Sequence, residues 1–126
     1  MLGKKSFSGF AVKDVDAARN FYSETLGVKT TTLDDENGLL QLEFDDRSVF
    51  VYAQPDSTPA SGTILNFQVP DVDAAVDGLT ERGVEFERYE GIDQDEKGIF
   101  RGEGPTIAWF QDPSGNVLSV IKEGDL

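Results

Sequence analysis

The sequence predicts an α+β fold built from two tandem βαβββ modules, and three observations carry that prediction. A nine-residue block, Phe10-Ala11-Val12-Lys13-Asp14-Val15-Asp16-Ala17-Ala18, returns 57 residues later as Phe67-Gln68-Val69-Pro70-Asp71-Val72-Asp73-Ala74-Ala75, identical at seven of nine positions. Each block joins a strand-like segment to an Asp that can cap a helix, and each helical stretch runs into a Gly. Beyond each Gly the apolar period changes from helical spacing to the alternation of strands.

The first module spans residues 5–54. Its opening strand leads to Asp14 as N-cap, and Val15, Ala18, Phe21, Tyr22 and Leu26 recur near 3.6-residue spacing, which predicts one helix ending at Gly27. Three strands follow: 28–33, then 39–44 after an Asp-Asp-Glu-Asn-Gly turn, then 49–53 after Asp45-Asp46-Arg47. A linker, 55–61, holds Pro55, Ser57, Pro59 and Ser61 and should be extended.

The second module spans 62–123 and repeats the order. A strand at 63–69 precedes Asp71, and Val72, Ala75, Val76 and Leu79 form the apolar stripe of a helix ending at Gly83. Gly78 sits inside that helix and weakens it by about 1 kcal/mol relative to Ala. Strands are expected at 84–88, 106–110 and 117–121, the last after an Asp112-Pro113-Ser114-Gly115-Asn116 turn. The segment 89–105, with Gly91, Gly98, Gly102 and Gly104, reads as a mobile loop, either a solvated connection or a lid.

Composition removes several functional classes. At 126 residues the chain suits a single domain, 1–126. Twenty-four acidic against eleven basic residues give a net charge of −13, which disfavours nucleic acid and anionic membranes as partners. Without Cys or His, thiolate chemistry, His-ligated metal sites and a Ser-His-Asp triad cannot be built. No stretch has the length and apolarity of a membrane span or a signal-peptide core, so a cytoplasmic location is expected.

The tandem βαβββ order, the segment "KDVDAARNFYSETLG" after the first strand and "DPSGN" before the last resemble the vicinal oxygen chelate superfamily, which holds glyoxalase, bleomycin-resistance and extradiol dioxygenase proteins. The resemblance covers almost the whole chain. It implies modules curled into paired half-barrels around a β-lined cavity, with the strands that start at Phe7 and Ile64 central to them, and it implies a homodimer. Metal-dependent members hold a divalent ion with His, Gln or Glu from the first and last strands of each module. Carried onto this chain, with the Asp46-Arg47 turn aligned to the Ser114-Gly115 turn, those positions are Phe7, Val51 (Tyr52 if the register slips by one), Ile64 and Ser119. They offer one neutral oxygen, so no metal and no cofactor is expected. A displaced site would have to use Glu43, Asn66 or Gln68.

Strand alternation puts Gly9, Ala11, Asn66 and Gln68 on the face of Phe7 and Ile64, and Ile121 on that of Ser119, while Phe10, Val12, Phe67 and Val69 pack under the helices. The expected ligand-binding set is therefore Phe7, Tyr52, Ile64, Asn66, Gln68, Trp109, Ser119 and Ile121, largely apolar with a few neutral hydrogen-bonding groups. Trp109 is open to two readings, core filler or stacking partner. No catalytic residue stands out. Ser119 lacks a base to activate it, and Glu43 and Glu87 are the only strand acids worth testing as bases. The leading reading is metal-free binding of a small hydrophobic or aromatic molecule, similar to antibiotic-sequestering resistance proteins. The alternatives are a lyase or dioxygenase-like enzyme with a displaced metal, and a non-catalytic regulatory or scaffold module.

Overall fold

Asp14 and Asp71 both cap helices. The backbone of Asp14 is extended, and its carboxylate accepts the N–H groups of Asp16 and Ala17 at 2.9 and 3.1 Å. Asp71 accepts the N–H of Ala74 at 3.1 Å. These bonds satisfy donors that the first helical turn would otherwise leave orphaned. At the other ends Gly27 and Gly83 take φ of 70° and 91°, a conformation that residues with a Cβ rarely adopt.

The computed structural model describes residues 1–126 as two compact units, Met1–Pro59 and Ala60–Leu126. The first contains β1 (Ser8–Val12), α1 (Val15–Asn20), β2 (Lys29–Asp34), β3 (Leu39–Glu43) and β4 (Ser48–Ala53). Its sheet order is β1-β4-β3-β2, with β1 and β4 parallel and the other pairs antiparallel. The expected single α-helix does not run to Gly27; from Phe21 to Thr25 it widens into a π-helix. The Ser23 hydroxyl donates to the Arg19 carbonyl at 2.6 Å, taking the acceptor that an α-helical Ser23 N–H would use. Phe10, Val12, Ala18, Tyr22, Leu40, Leu42, Val49 and Val51 form the buried core on the helix side of the sheet.

The second unit contains β5 (Thr63–Val69), α2 (Val72–Glu81), β6 (Ile107–Gln111) and β7 (Val117–Lys122) in the order β5-β7-β6, β5 and β7 again parallel. The expected strand at 84–88 is reduced to a bridge between Phe86 and Phe110 and a bond from Glu87 N–H to the Trp109 carbonyl at 2.7 Å. Arg88 turns away from the sheet and donates to the carbonyls of Asp95 and Glu96. The opening strands, expected at the centre of each half-barrel, are edge strands of their own sheets, because each finds its single partner in the last strand of its module.

The 89–105 segment, which its glycines suggest is a mobile loop, is internally bonded. Gln94 accepts the Tyr89 N–H at 2.8 Å and donates to the carbonyls of Glu87 and Gly98 at 2.9 and 2.8 Å. Ile99 is fully buried. Lys97 pairs with Asp77 at 3.0 Å, and Arg101 with Asp73 at 2.7 Å and Asp95 at 3.0 Å, so the loop is clasped to α2.

Candidate functional site

Each sheet has one face under its helix, and the candidate residues sort by whether they lie on that face or on the opposite one, which is open along β5 but buried along β7 at Ser119 and Ile121. In the first module the open face carries a run of aromatic rings. Phe7, just before β1 and 75% exposed, meets Phe50 edge-on at 6.0 Å, and Phe50 stacks on Tyr52 at 5.7 Å with 26° between planes. Gly9 makes room for this run: a Cβ there would lie 3.0 Å from the Phe50 carbonyl oxygen and 3.3 Å from its ring. A groove of ≈ 540 Å³ lies on this face, lined by Phe7, Leu33, Gln41 and Phe50 with Ser6, Ser8 and Ser48. Asp46 and Arg47, paired at 3.2 Å, stand at the same groove.

Val51 is not on this face. It is fully buried on the helix side, between Phe10 and Leu40 in the ladder. Phe10 pairs with Val51 as Phe67 pairs with Val120, so the counterpart of Ser119 is Phe50, one residue earlier than expected and in the direction away from Tyr52. Phe50, not Val51, therefore holds the fourth ligand position.

In the second module the buried Asp112 fixes the hairpin by accepting the N–H groups of Ser114 and Asn116 and the Asn116 side chain, each at 2.9 Å. The resulting register places Asn66, Ser119 and Trp109 in one row across β5, β7 and β6, with Gln68, Ile121 and Ile107 in the next. This settles the face of Trp109: it lies on the Ser119 side, away from the buried Phe110, and meets Tyr89 edge-on at 5.5 Å. Burial pushes the Tyr89 phenol pKa up, with a further rise from the charge of Glu87, so the ring stays neutral at ordinary pH.

Asn66 and Gln68 are exposed and Ile64, at a bulge in β5, is half-buried. Ser119 and Ile121 are not accessible as expected. Ser119 is 0% and Ile121 4% exposed on the central strand, and the Ser119 hydroxyl donates to Asn66 Oδ1 at 2.5 Å. Tyr89, Gln41 and Leu33 are additions that strand parity alone did not single out; only the ladder register reveals that Gln41 sits across from Phe50.

These residues do not fit a divalent ion. Phe7, Phe50 and Ile64 have no donor atoms, and the one hydroxyl, Ser119, is buried and committed to Asn66. Glu43 accepts the Thr31 hydroxyl at 2.7 Å and faces Lys29 at 3.9 Å, and no three acidic side chains converge on a common point.

The fold recurs in solved structures. TnmS3, an antibiotic binding protein from Streptomyces sp. CB03234, superposes with a TM-score of 0.69 at 26% identity, covering 97% of this chain and 98% of that one. A glyoxalase family protein from Enterococcus faecalis gives 0.67 at 21% identity over 96% and 99% of the two chains. Lactoylglutathione lyase from Agrobacterium tumefaciens gives 0.65 at 18% identity over 97% and 96%. A search of curated proteins found no match. No helix is long and apolar enough to cross a membrane. The family model of the Glyoxalase/Bleomycin resistance protein/Dioxygenase superfamily matches residues 7–120, and with that match spanning most of its length the chain belongs to this superfamily.

Proposed function

We propose that this protein binds a small, flat hydrophobic or aromatic molecule on the open faces of its sheets, without a metal. The observation that carries the reading is the groove of ≈ 540 Å³ in the first module, where Phe7, Phe50 and Leu33 supply apolar surface and serines and Gln41 supply neutral hydrogen-bonding groups. That is the make-up of a site that captures its ligand by surface burial and orients it with a few polar contacts. Trp109 and Tyr89 add aromatic surface on the second module, beside Asn66 and Gln68. The substitution of Phe7, Phe50, Ile64 and Ser119 at the family's ligand positions supports binding over metal chemistry. The 26% identity to an antibiotic binding protein, TnmS3, supports it as well.

Calorimetric titration with 2-ethylnaphthalene tests the reading. Burial of a two-ring hydrocarbon at about 25 cal/mol per Å², less the cost of association, leads to a micromolar dissociation constant. Phe50→Asp places a charge in the groove and should weaken binding at least roughly tenfold, because a desolvated carboxylate is costly. Unchanged affinity in that variant, with the far-UV circular dichroism intact, would show that the ligand sits elsewhere.

A further inference from the structure

We propose that the second module recognises a neutral hydrogen-bond acceptor, a ketone, aldehyde or amide carbonyl on an aromatic ligand, through the side-chain amide of Asn66, with Ser119 as the residue that positions it. The inference rests on the reading of this protein as a binder of flat aromatic molecules and adds the polar feature that such a ligand carries.

Ser119 is completely buried, so its single O–H cannot turn to water, and it donates to Asn66 Oδ1 at 2.5 Å. A buried donor left without an acceptor costs about 1–3 kcal/mol, which fixes the direction of this bond and with it the orientation of the Asn66 amide. With Oδ1 occupied, Asn66 presents Nδ2 and its two N–H donors from an exposed position on the open face. An acceptor side chain there would select donors; an amide held this way selects acceptors.

The neighbours supply the rest of the ligand's description. Trp109 stands in the same row, two strands from Asn66, a separation of about 10 Å at ordinary strand spacing. A two-ring aromatic with a carbonyl substituent spans that distance, its rings against Trp109 and its oxygen at Asn66. The net charge of −13 makes the approach of a carboxylate or phosphate unfavourable and leaves a neutral carbonyl as the better acceptor. Ser119 does not touch the ligand on this account. Its part is to hold one rotamer of Asn66, so that the donor is in place before binding.

The test compares 2-acetylnaphthalene with 2-ethylnaphthalene, which differ by one carbonyl oxygen, by calorimetry and by the side-chain amide signals of ¹⁵N-labelled protein. Followed at the Trp109 indole N–H signal, so that ligand in the first-module groove is not counted, the wild-type protein should bind the ketone roughly fivefold to tenfold more tightly, the worth of one net hydrogen bond. The Asn66 side-chain N–H resonance should move with the ketone and not with the hydrocarbon. Asn66→Ala and Asn66→Asp should both abolish the preference, read as the ratio of the two affinities within each variant. Ser119→Ala should shrink the preference and reduce the shift of the Asn66 signal, although Asn66 is still present. Equal affinity for both compounds in the wild-type protein would overturn the proposal and leave aromatic binding standing. A full preference retained in Ser119→Ala would overturn the positioning role. Failure of both compounds to bind would overturn the underlying reading, and this inference with it.

Discussion

On the helix side the two modules share the pair at the heart of their ladders. Phe10 and Val51 pair in the first as Phe67 and Val120 do in the second, each next to an Asp-capped helix. On the open side they share nothing. The row Gly9, Phe50, Gln41 of the first module corresponds to Asn66, Ser119, Trp109 of the second, and Ala11, Tyr52, Leu39 corresponds to Gln68, Ile121, Ile107. Small residues on β1 face large rings on β4, whereas amides on β5 face a smaller hydroxyl and an aliphatic chain on β7. A duplicated unit keeps the central pair its helix packs against, since a close-packed core tolerates little change of volume there. The opposite face carries no such constraint, and there each copy fills the space above the strands with its own division of bulk and polarity.

The largest expected effect breaks the symmetry of the helix sides. Tyr22 and Leu79 occupy the same place in the repeat, but Tyr22 is fully buried in a π-helix against Phe10, at 5.9 Å between rings, while Leu79 is half-buried in a regular α-helix. Tyr22→Ala should destabilise the protein by about 3–5 kcal/mol through lost burial and the cavity left behind. Leu79→Ala should cost roughly 1–2 kcal/mol, because much of that side chain already meets water. Urea denaturation of both variants checks the difference; equal losses would mean the two helices are anchored alike and that the π-helix has no special part in the packing.

A middle-sized effect exchanges the open faces. Gly9→Asn gives the first module the residue that Asn66 supplies in the second. There the side chain stands beside a serine; here its Cβ would press on Phe50, 3.0 Å from the carbonyl oxygen. The ring run of Phe7, Phe50 and Tyr52 must shift, at a cost of about 1–3 kcal/mol for overpacking. The reciprocal Asn66→Gly makes no clash; its cost of about 1–3 kcal/mol comes from the buried Ser119 hydroxyl that loses its acceptor, added to the 0.5–1 kcal/mol or so of a glycine in a strand. Thermal melting of the pair tests this, and a stable Gly9→Asn would show that the rings are free to move.

Much of this architecture is written in local sequence, and the parts that are not share a cause. Both helix starts follow from Asp14 and Asp71, both stops from Gly27 and Gly83, and β5 has the expected bounds, Thr63–Val69. The π-helix was invisible because apolar spacing looks the same when a turn widens by one residue. The strand at 84–88 is reduced to one bridge, and the Arg88 side chain beyond it bonds loop carbonyls of Asp95 and Glu96 that no local pattern specifies. The site suffered from a one-residue misalignment: matching Asp46-Arg47 to Ser114-Gly115 selected Val51, whereas the ladders match Arg47 to Asn116 and select Phe50. In a strand one residue is a change of face, so a small error in a turn moved a site residue from the groove into the core. Burial of Ser119 is not legible either, since strand alternation gives its face and not what covers it; the residues across from it, Asn66 and Trp109, come from other strands.

The smallest effect separates two acidic turns that titrate alike for different reasons. In the first module the Asn37 side chain and N–H hold the Asp34 carboxyl below its ordinary value of 3.8. In the second, the bond from Arg101 lowers Asp73; burial pushes Asp95 up, but the N–H of Ile99, Arg101 and the N–H of Lys97 together outweigh it and bring it below 3.8. Carboxyls lowered on folding contribute stability that is present above about pH 4 and fades as the pH falls below it. Lys97, raised chiefly by its bond to Asp77, adds no change in that range, since its contribution fades only above its ordinary value of 10.5. Acid should therefore loosen both turns. Salt should loosen one, because Asp34 is held by a neutral amide, whereas the clasp of the loop on α2 is made of exposed ion pairs that 1 M NaCl, with a screening length of about 3 Å, weakens. Hydrogen-exchange protection of the Ile99 and Lys97 amides should fall modestly with salt at pH 7 while that of Asn37 holds, and all three should fall at pH 3. An Asn37 amide as salt-sensitive as Ile99 would mean that general screening of the −13 charge, and not the clasp, governs the response.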